Sequence, residues 1–175
     1  MTDSQLVLDA ISFAARAHKN QYRKDGATPY VAHVVRVLFI CRDLFGVTDP
    51  RILAAAALHD TIEDTTTDFD DLNEYFGTDV AHWVAALTKD GRLIDAERER
   101  VYCAALVAGG TPVLFCKLAD MFDNLTDSGH LKPEAKAKTL NRIRMYLDGL
   151  KPAVTEETER AYRIVEEKWR ELSGR

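Results

Sequence analysis

A chain of 175 residues is long enough to bury a substantial core without disulfides or a structural zinc cluster, and no segment reads as a linker, so a single domain is expected. Hydrophobic residues make up 46% and charged residues 29%, and no apolar run approaches the roughly 18 residues of a membrane span. The net charge of -5 speaks against a general nucleic-acid binder, whose footprint would be basic.

The opening Met-Thr-Asp-Ser-Gln has no basic n-region, which sets an expectation of neither export nor a transit peptide, and so of a cytoplasmic protein. Thr2 and Gln5 form a capping-box pattern before the stripe Leu6, Ala10, Phe13, Ala14 and Ala17, a first helix expected to end near Lys19. From Asn20 to Pro29 the composition turns polar, with Gly26 and Pro29 as breakers, and this loop carries Arg23, Lys24 and Asp25. Between Tyr30 and Leu44 the run Val34-Val35-Arg36-Val37 alone would favour strand, but the length of the segment favours helix. Asp49-Pro50 supplies an N-cap and first-turn pair for an Ala-rich helix expected to run unbroken from Ile52 to Thr65.

A short amphipathic piece over Asp68 to Phe76 ends at Gly77, and Val80, Val84 and Leu87 then recur at helical spacing. Asp95 to Ala108 reads as a helix stopped by Gly109-Gly110, Thr111-Pro112 starts another over about Val113 to Thr126, and a polar break follows at Asp127 to Pro133. Two helices complete the chain, the last carrying the stripe Tyr162, Val165, Trp169 and Leu172 with Glu159/Arg163 and Glu166/Arg170 four residues apart. With no repeat, glycine-rich phosphate loop or alternating strand, the expectation is an all-α bundle of about eight to ten helices. Cys41, Cys103 and Cys116 are odd in number and set among aliphatic residues, which predicts reduced core thiols.

The chemistry concentrates in Ala57-Leu58-His59-Asp60-Thr61-Ile62-Glu63-Asp64-Thr65. On an unbroken helix turning about 100° per residue, with His59 at zero, Glu63 falls near ~40°, Asp60 near ~100° and Asp64 near ~140°, so all four share one face. Three acids and an imidazole in a low-dielectric cleft call for a cation, because unpaired buried carboxylates would take up protons instead. His33, an imidazole inside an apolar run, and Asp120, with Asn124 four residues on and so on the same helix face, are the further ligand candidates. Asp120 has a plainer alternative in a pairing with Lys117, and His18, His82 and His130 read as structural. Two imidazoles and two carboxylates suit zinc, iron, manganese or magnesium without selecting one, and Glu63 and Asp64 would then orient or deprotonate a water for hydrolysis.

The succession Ala17-His18, Gln21-Tyr22-Arg23-Lys24-Asp25-Gly26, Pro29-Tyr30-Val31-Ala32-His33, the His59 segment, Lys117-Leu118-Ala119-Asp120 and Asn124 resembles the hydrolase domain of the RelA/SpoT enzymes, at the length of the small alarmone hydrolases. The resemblance implies an HD-superfamily helical fold and hydrolysis of (p)ppGpp at its 3′ position, releasing pyrophosphate and GDP or GTP, with Mn2+ as the ion. It implies metal ligation by His33, His59, Asp60 and Asp120, catalytic roles for Glu63 and Asp64, and nucleotide contacts from Arg23, Lys24 and Asn124. The implied partner is a small-molecule nucleotide, with a homo-oligomer as an option; another phosphorylated nucleotide or a noncatalytic nucleotide sensor are the alternative readings. After Asp120 the chain shows Met121, Phe122, Asp123 and Thr126 where the family usually has basic and aromatic residues. Two positive charges are thereby lost and one negative charge gained near the polyphosphate, with Lys89, Arg92 and Arg98 as candidates to compensate.

Overall fold

Local capping chemistry sets most of the helix boundaries in the computed structural model, which describes residues 2–174. Helix α1 (Asp3–Ala17) starts where the Thr2 side chain accepts from the Gln5 backbone N–H; the Gln5 side chain turns to Asp9 instead of closing the box. Helix α2 (Val31–Phe39) continues into a π-helical turn (Ile40–Leu44), so the apolar segment is helical despite its β-branched run. Helix α3 (Pro50–Leu58) begins at Asp49, whose carboxylate accepts from the Arg51 N–H.

The helix expected to run to Thr65 breaks after Leu58. Asp60 adopts φ −102°, ψ 0°, and a single turn, α4 (Thr61–Asp64), follows. The Thr61 hydroxyl donates to the Leu58 carbonyl at 2.7 Å and satisfies an acceptor that the break would otherwise leave unpaired. The common helical face drawn for His59, Asp60, Glu63 and Asp64 is therefore replaced by a turn that presents His59 and Asp60 at its bend.

Helices α5 (Phe69–Phe76), α6 (Thr78–Leu87), α7 (Asp95–Ala108), α8 (Gly110–Thr126), α9 (Pro133–Leu150) and α10 (Glu156–Ser173) follow, with 3-10 turns at Asp127–His130 and Lys151–Ala153. Gly77 holds the α5–α6 corner at φ 84°, a conformation that favours glycine. Among the described residues there is no strand, only an isolated bridge between Tyr22 and Pro29 that pins the loop after α1. No helix among them is long and apolar enough to cross a membrane.

Helix α8 runs through the core, packed on α2, α3, α6, α7, α9 and α10, and is buried continuously from Val113 to Ala119. Helix α3 is buried from Ile52 to Leu58, and its alanines let α1 approach through Ala10 and Ala14. The C-terminal stripe docks as its spacing predicts: Tyr162 donates to the Leu147 carbonyl and Trp169 to that of Leu140, while Glu159/Arg163 and Glu166/Arg170 pair on the outside. The three thiols are free, Cys41 and Cys116 buried and Cys103 half-buried. Two ends of this scaffold, the first turn of α2 and the bend after α3, meet the middle of α8.

Candidate metal centre and its cavity

His33 sits in the first turn of α2 and is 1% exposed, and His59 is 2% exposed at the bend after α3. The His59 Nδ1–H faces the Ala56 carbonyl at 2.9 Å and His33 Nδ1 faces Asp123 Oδ2 at 2.6 Å. Both contacts place the ring proton on Nδ1 and turn the Nε2 lone pairs inward. There His33 Nε2 lies 3.5 Å from both Asp60 Oδ2 and Asp120 Oδ1, and His59 Nε2 lies 2.8 Å and 3.9 Å from the same two oxygens.

Metal–ligand bonds of about 2.0–2.2 Å place neighbouring donors about 3 Å apart, which suits a shared ion between the imidazoles and Asp60, with Asp120 Oδ1 beside both imidazoles. His59 Nε2 is enclosed and has no hydrogen-bond partner although a carboxylate oxygen faces it. Two lone-pair atoms in that relation repel unless a cation lies between them. The donor atoms of His33, His59 and Asp60 all fall within 4.8 Å of one another.

The acids divide into two kinds. Burial alone would raise Asp60 and Asp120, but His59 and His33 around the first, and Lys117 and His33 around the second, hold both well below the usual carboxylate range. Burial pulls His33 down, yet Asp120, Asp123 and Asp60 outweigh it and push its pKa up to about 10; His59 is raised in the same way by Asp60. The protons that these imidazoles attract are the charge a divalent ion replaces. Glu63 and Asp64 shift oppositely: desolvation in the cavity, with the Asp60 charge added, raises both. The four acids thus fall into two pairs, Asp60 and Asp120 lowered by their cationic neighbours and Glu63 and Asp64 raised by burial.

The residues expected to bind metal, act on water or hold the nucleotide, Arg23, Lys24, His33, His59, Asp60, Glu63, Asp64, Asp120 and Asn124, line one cavity of about 320 Å3. Asn124 links its two ends: Nδ2 donates to Asp120 Oδ1 at 2.5 Å, and Oδ1 accepts from Arg23 at 3.0 Å. Arg23 also reaches Asp127 at 3.0 Å. Asp120 does pair with Lys117, at 2.8 Å through Oδ2, while its Oδ1 lies toward the imidazoles, 3.5 Å from His33 Nε2.

Asp123 does not add its charge to the cavity. It is 1% exposed and is held by Arg36 at 2.6 Å and by His33, so the negative charge expected near the polyphosphate is balanced inside the fold. Of the three cations expected to compensate, Lys89 lines the cavity; Arg92 and Arg98 instead pair with Asp90 and Asp95 and do not line it. Arg142 of α9 lines it, and no local motif in the sequence marks that residue. Tyr30, to which the sequence gives no role, reaches the same acids: its hydroxyl donates to Asp60 Oδ2 at 2.6 Å with Asp64 Oδ2 at 3.3 Å, and its ring stacks on buried His18 at 4.7 Å. Its place one turn before His33 is the signal in the sequence that marks it.

A model of the HD domain matches residues 10–145. A protein of Xenopus tropicalis named guanosine-3′,5′-bis(diphosphate) 3′-pyrophosphohydrolase MESH1 is 40% identical over 134 residues, covering 76% of this chain and 75% of its own length. The Homo sapiens protein of the same name is 36% identical over 148 residues, covering 84% and 82%. A solved structure described as a metazoan ortholog of SpoT that hydrolyses ppGpp has a TM-score of 0.83 and 30% identity, over 95% of this chain and 94% of its own.

Proposed function

Because this chain belongs to the HD domain family, and matches relatives of its own length across most of both chains, we propose that it is a Mn2+-dependent 3′-pyrophosphohydrolase of guanosine 3′,5′-bis(diphosphate). In that reaction water oxygen bonds to the phosphorus attached to O3′, the P–O3′ bond breaks, and a proton ends on O3′, giving GDP and pyrophosphate. The observation that carries the reading is the convergence in one cavity of three mutually close donors with Asp120 beside the imidazoles, two acids of raised pKa and a basic flank.

His33, His59, Asp60 and Asp120 hold the ion in this reading. A divalent ion bound by them supplies Lewis acidity toward phosphoryl oxygens and activation of water. Glu63 and Asp64 orient the attacking water and carry its proton, for which their raised pKa values suit them. The Lys89 N–H steadies Glu63 at 3.0 Å, while Gln21 grips the Asp64 carbonyl at 2.7 Å. Arg23, Lys24 and Asn124 hold the nucleotide, Arg23 by its planar fork and Lys24 as a point charge.

Incubation with Mn2+ and ppGpp, followed by ion-exchange separation, tests the assignment: GDP and pyrophosphate are the expected products, and their absence overturns it. Asp60→Ala is expected to lose both metal and turnover, whereas Glu63→Gln keeps the metal and loses most turnover. A Glu63→Gln protein with an unaltered rate removes the catalytic role given to that acid.

A further inference from the structure

Two lysines beside the metal centre are held in a way that Coulomb pairing alone does not explain. Lys117, one turn before Asp120 on α8, is 8% exposed, and its ammonium lies 5.3 Å from the Tyr102 ring centre and 4.8 Å from that of Tyr146. Lys89, in the segment between α6 and α7, lies over the same two rings at 5.1 Å and 5.3 Å. All four residues line the cavity that holds His33, His59, Asp60 and Asp120.

Each ammonium spends one of its three N–H donors on a carboxylate at 2.8 Å, Lys117 on Asp120 and Lys89 on Glu99. Glu99 also accepts from the Tyr146 hydroxyl, which ties the second ring to the same network. Aromatic faces steady a cation without neutralising it, so the ammonium keeps its attraction for an anion.

Asp120 joins the two groups, since Oδ1 faces the imidazoles and Oδ2 accepts from Lys117. A diphosphate that meets the ion with its inner phosphoryl group would therefore reach the ammonium with the outer one. We infer that Lys89 and Lys117, framed by Tyr102 and Tyr146, form a subsite for the outer phosphoryl group of a 3′-diphosphate and make the site favour a diphosphate over a monophosphate. This inference rests on the hydrolase reading above for its substrate, though the subsite can be examined without turnover.

Lys89→Gln and Glu99→Gln act on it in opposite directions. In the Mn2+-loaded full chain, Lys89→Gln is expected to lower kcat/KM for ppGpp relative to guanosine 3′-monophosphate by about tenfold or more, the scale of a charged hydrogen bond. Glu99→Gln, which removes the carboxylate competing for Lys89, is expected to raise the same ratio. Calorimetric binding of inorganic pyrophosphate and of orthophosphate to the same Mn2+-loaded proteins gives a second readout: the wild type prefers pyrophosphate, and Lys89→Gln loses that preference. Wild-type turnover of ppGpp with neither ratio changed by Lys89→Gln overturns the subsite and leaves the hydrolase standing. No wild-type turnover, with a pyrophosphate preference that depends on Lys89, overturns the hydrolase and leaves the subsite standing; no such preference in the wild type overturns the subsite outright.

Discussion

Asp123→Asn asks whether the metal centre depends on a group that never faces the ion. Asp123 collects two partners: its Oδ1 accepts from Arg36 Nε at 2.6 Å, and its Oδ2 faces His33 Nδ1 at 2.6 Å and a second Arg36 nitrogen at 3.0 Å. An amide keeps one acceptor oxygen and replaces the other with N–H donors, so one partner must meet a donor whichever way the side chain turns. If His33 meets it, the imidazole is driven to the tautomer with its proton on Nε2, the nitrogen needed for the ion. Loss of an outer hydrogen bond of this type weakens metal binding by about 10- to 100-fold, which is about 1.4–2.8 kcal/mol. Mn2+ titrated into chelator-treated protein by calorimetry measures it, with circular dichroism reporting whether the helices persist. An unchanged Mn2+ affinity in a folded Asp123→Asn protein refutes the tautomer argument. Arg36→Ala is the companion: its side chain is 39% exposed, and removing it leaves the His33–Asp123 contact in place, so a smaller loss of affinity is expected.

Metal removal has a pH signature whose sign follows from His33. Its pKa, pushed up to about 10 by the surrounding carboxylates, gives the metal-free protein stability that is full below about 6.5 and lost as pH rises toward 10. The melting temperature of chelator-treated protein is therefore expected to fall further below that of Mn2+-loaded protein between pH 7 and 10, and a constant gap in a fluorimetric melt counts against it. Tyr30→Phe keeps the ring on His18 but removes the donor to Asp60, so kcat is expected to fall about tenfold with KM nearly unchanged. A KM change with kcat intact would make the ring a nucleotide contact instead. Gly109→Ala would push a Cβ into the buried Val113 side chain, 2.8 Å from its Cβ, at the start of α8. The expected cost is about 1–3 kcal/mol of stability, read as a lowered denaturant midpoint, and an unaltered midpoint rules out the clash.

What the sequence discloses divides by range. Caps at Thr2 and Asp49 and the corner at Gly77 rest on contacts within a few residues, and each sets a helix boundary where local chemistry places it. The bend at His59–Asp60 is invisible to the same reasoning because apolar periodicity runs straight through it, and only the Thr61 hydroxyl, turned back onto Leu58, accounts for the freed carbonyl. Arg142 and Tyr146 reach the cavity from α9, a helix that no motif near the ligands announces.

Asp123 is the instructive case between these extremes. Taken alone it looks like a negative charge added to a site that must bind phosphate. Yet His33 and Arg36 stand three residues apart on α2, and Asp120 and Asp123 stand three apart on α8, so two packed helices present matched pairs one turn apart. The first of each pair, His33 and Asp120, meet at the cavity. The second, Arg36 and Asp123, meet one turn away beside a separate surface groove and neutralise each other there. The added acid thus comes with its own cation, and with His33 Nδ1 against it, its charge orients an imidazole instead of facing the cavity. The pairing of those two spacings could have been read from the sequence, but only by supposing that the two helices pack.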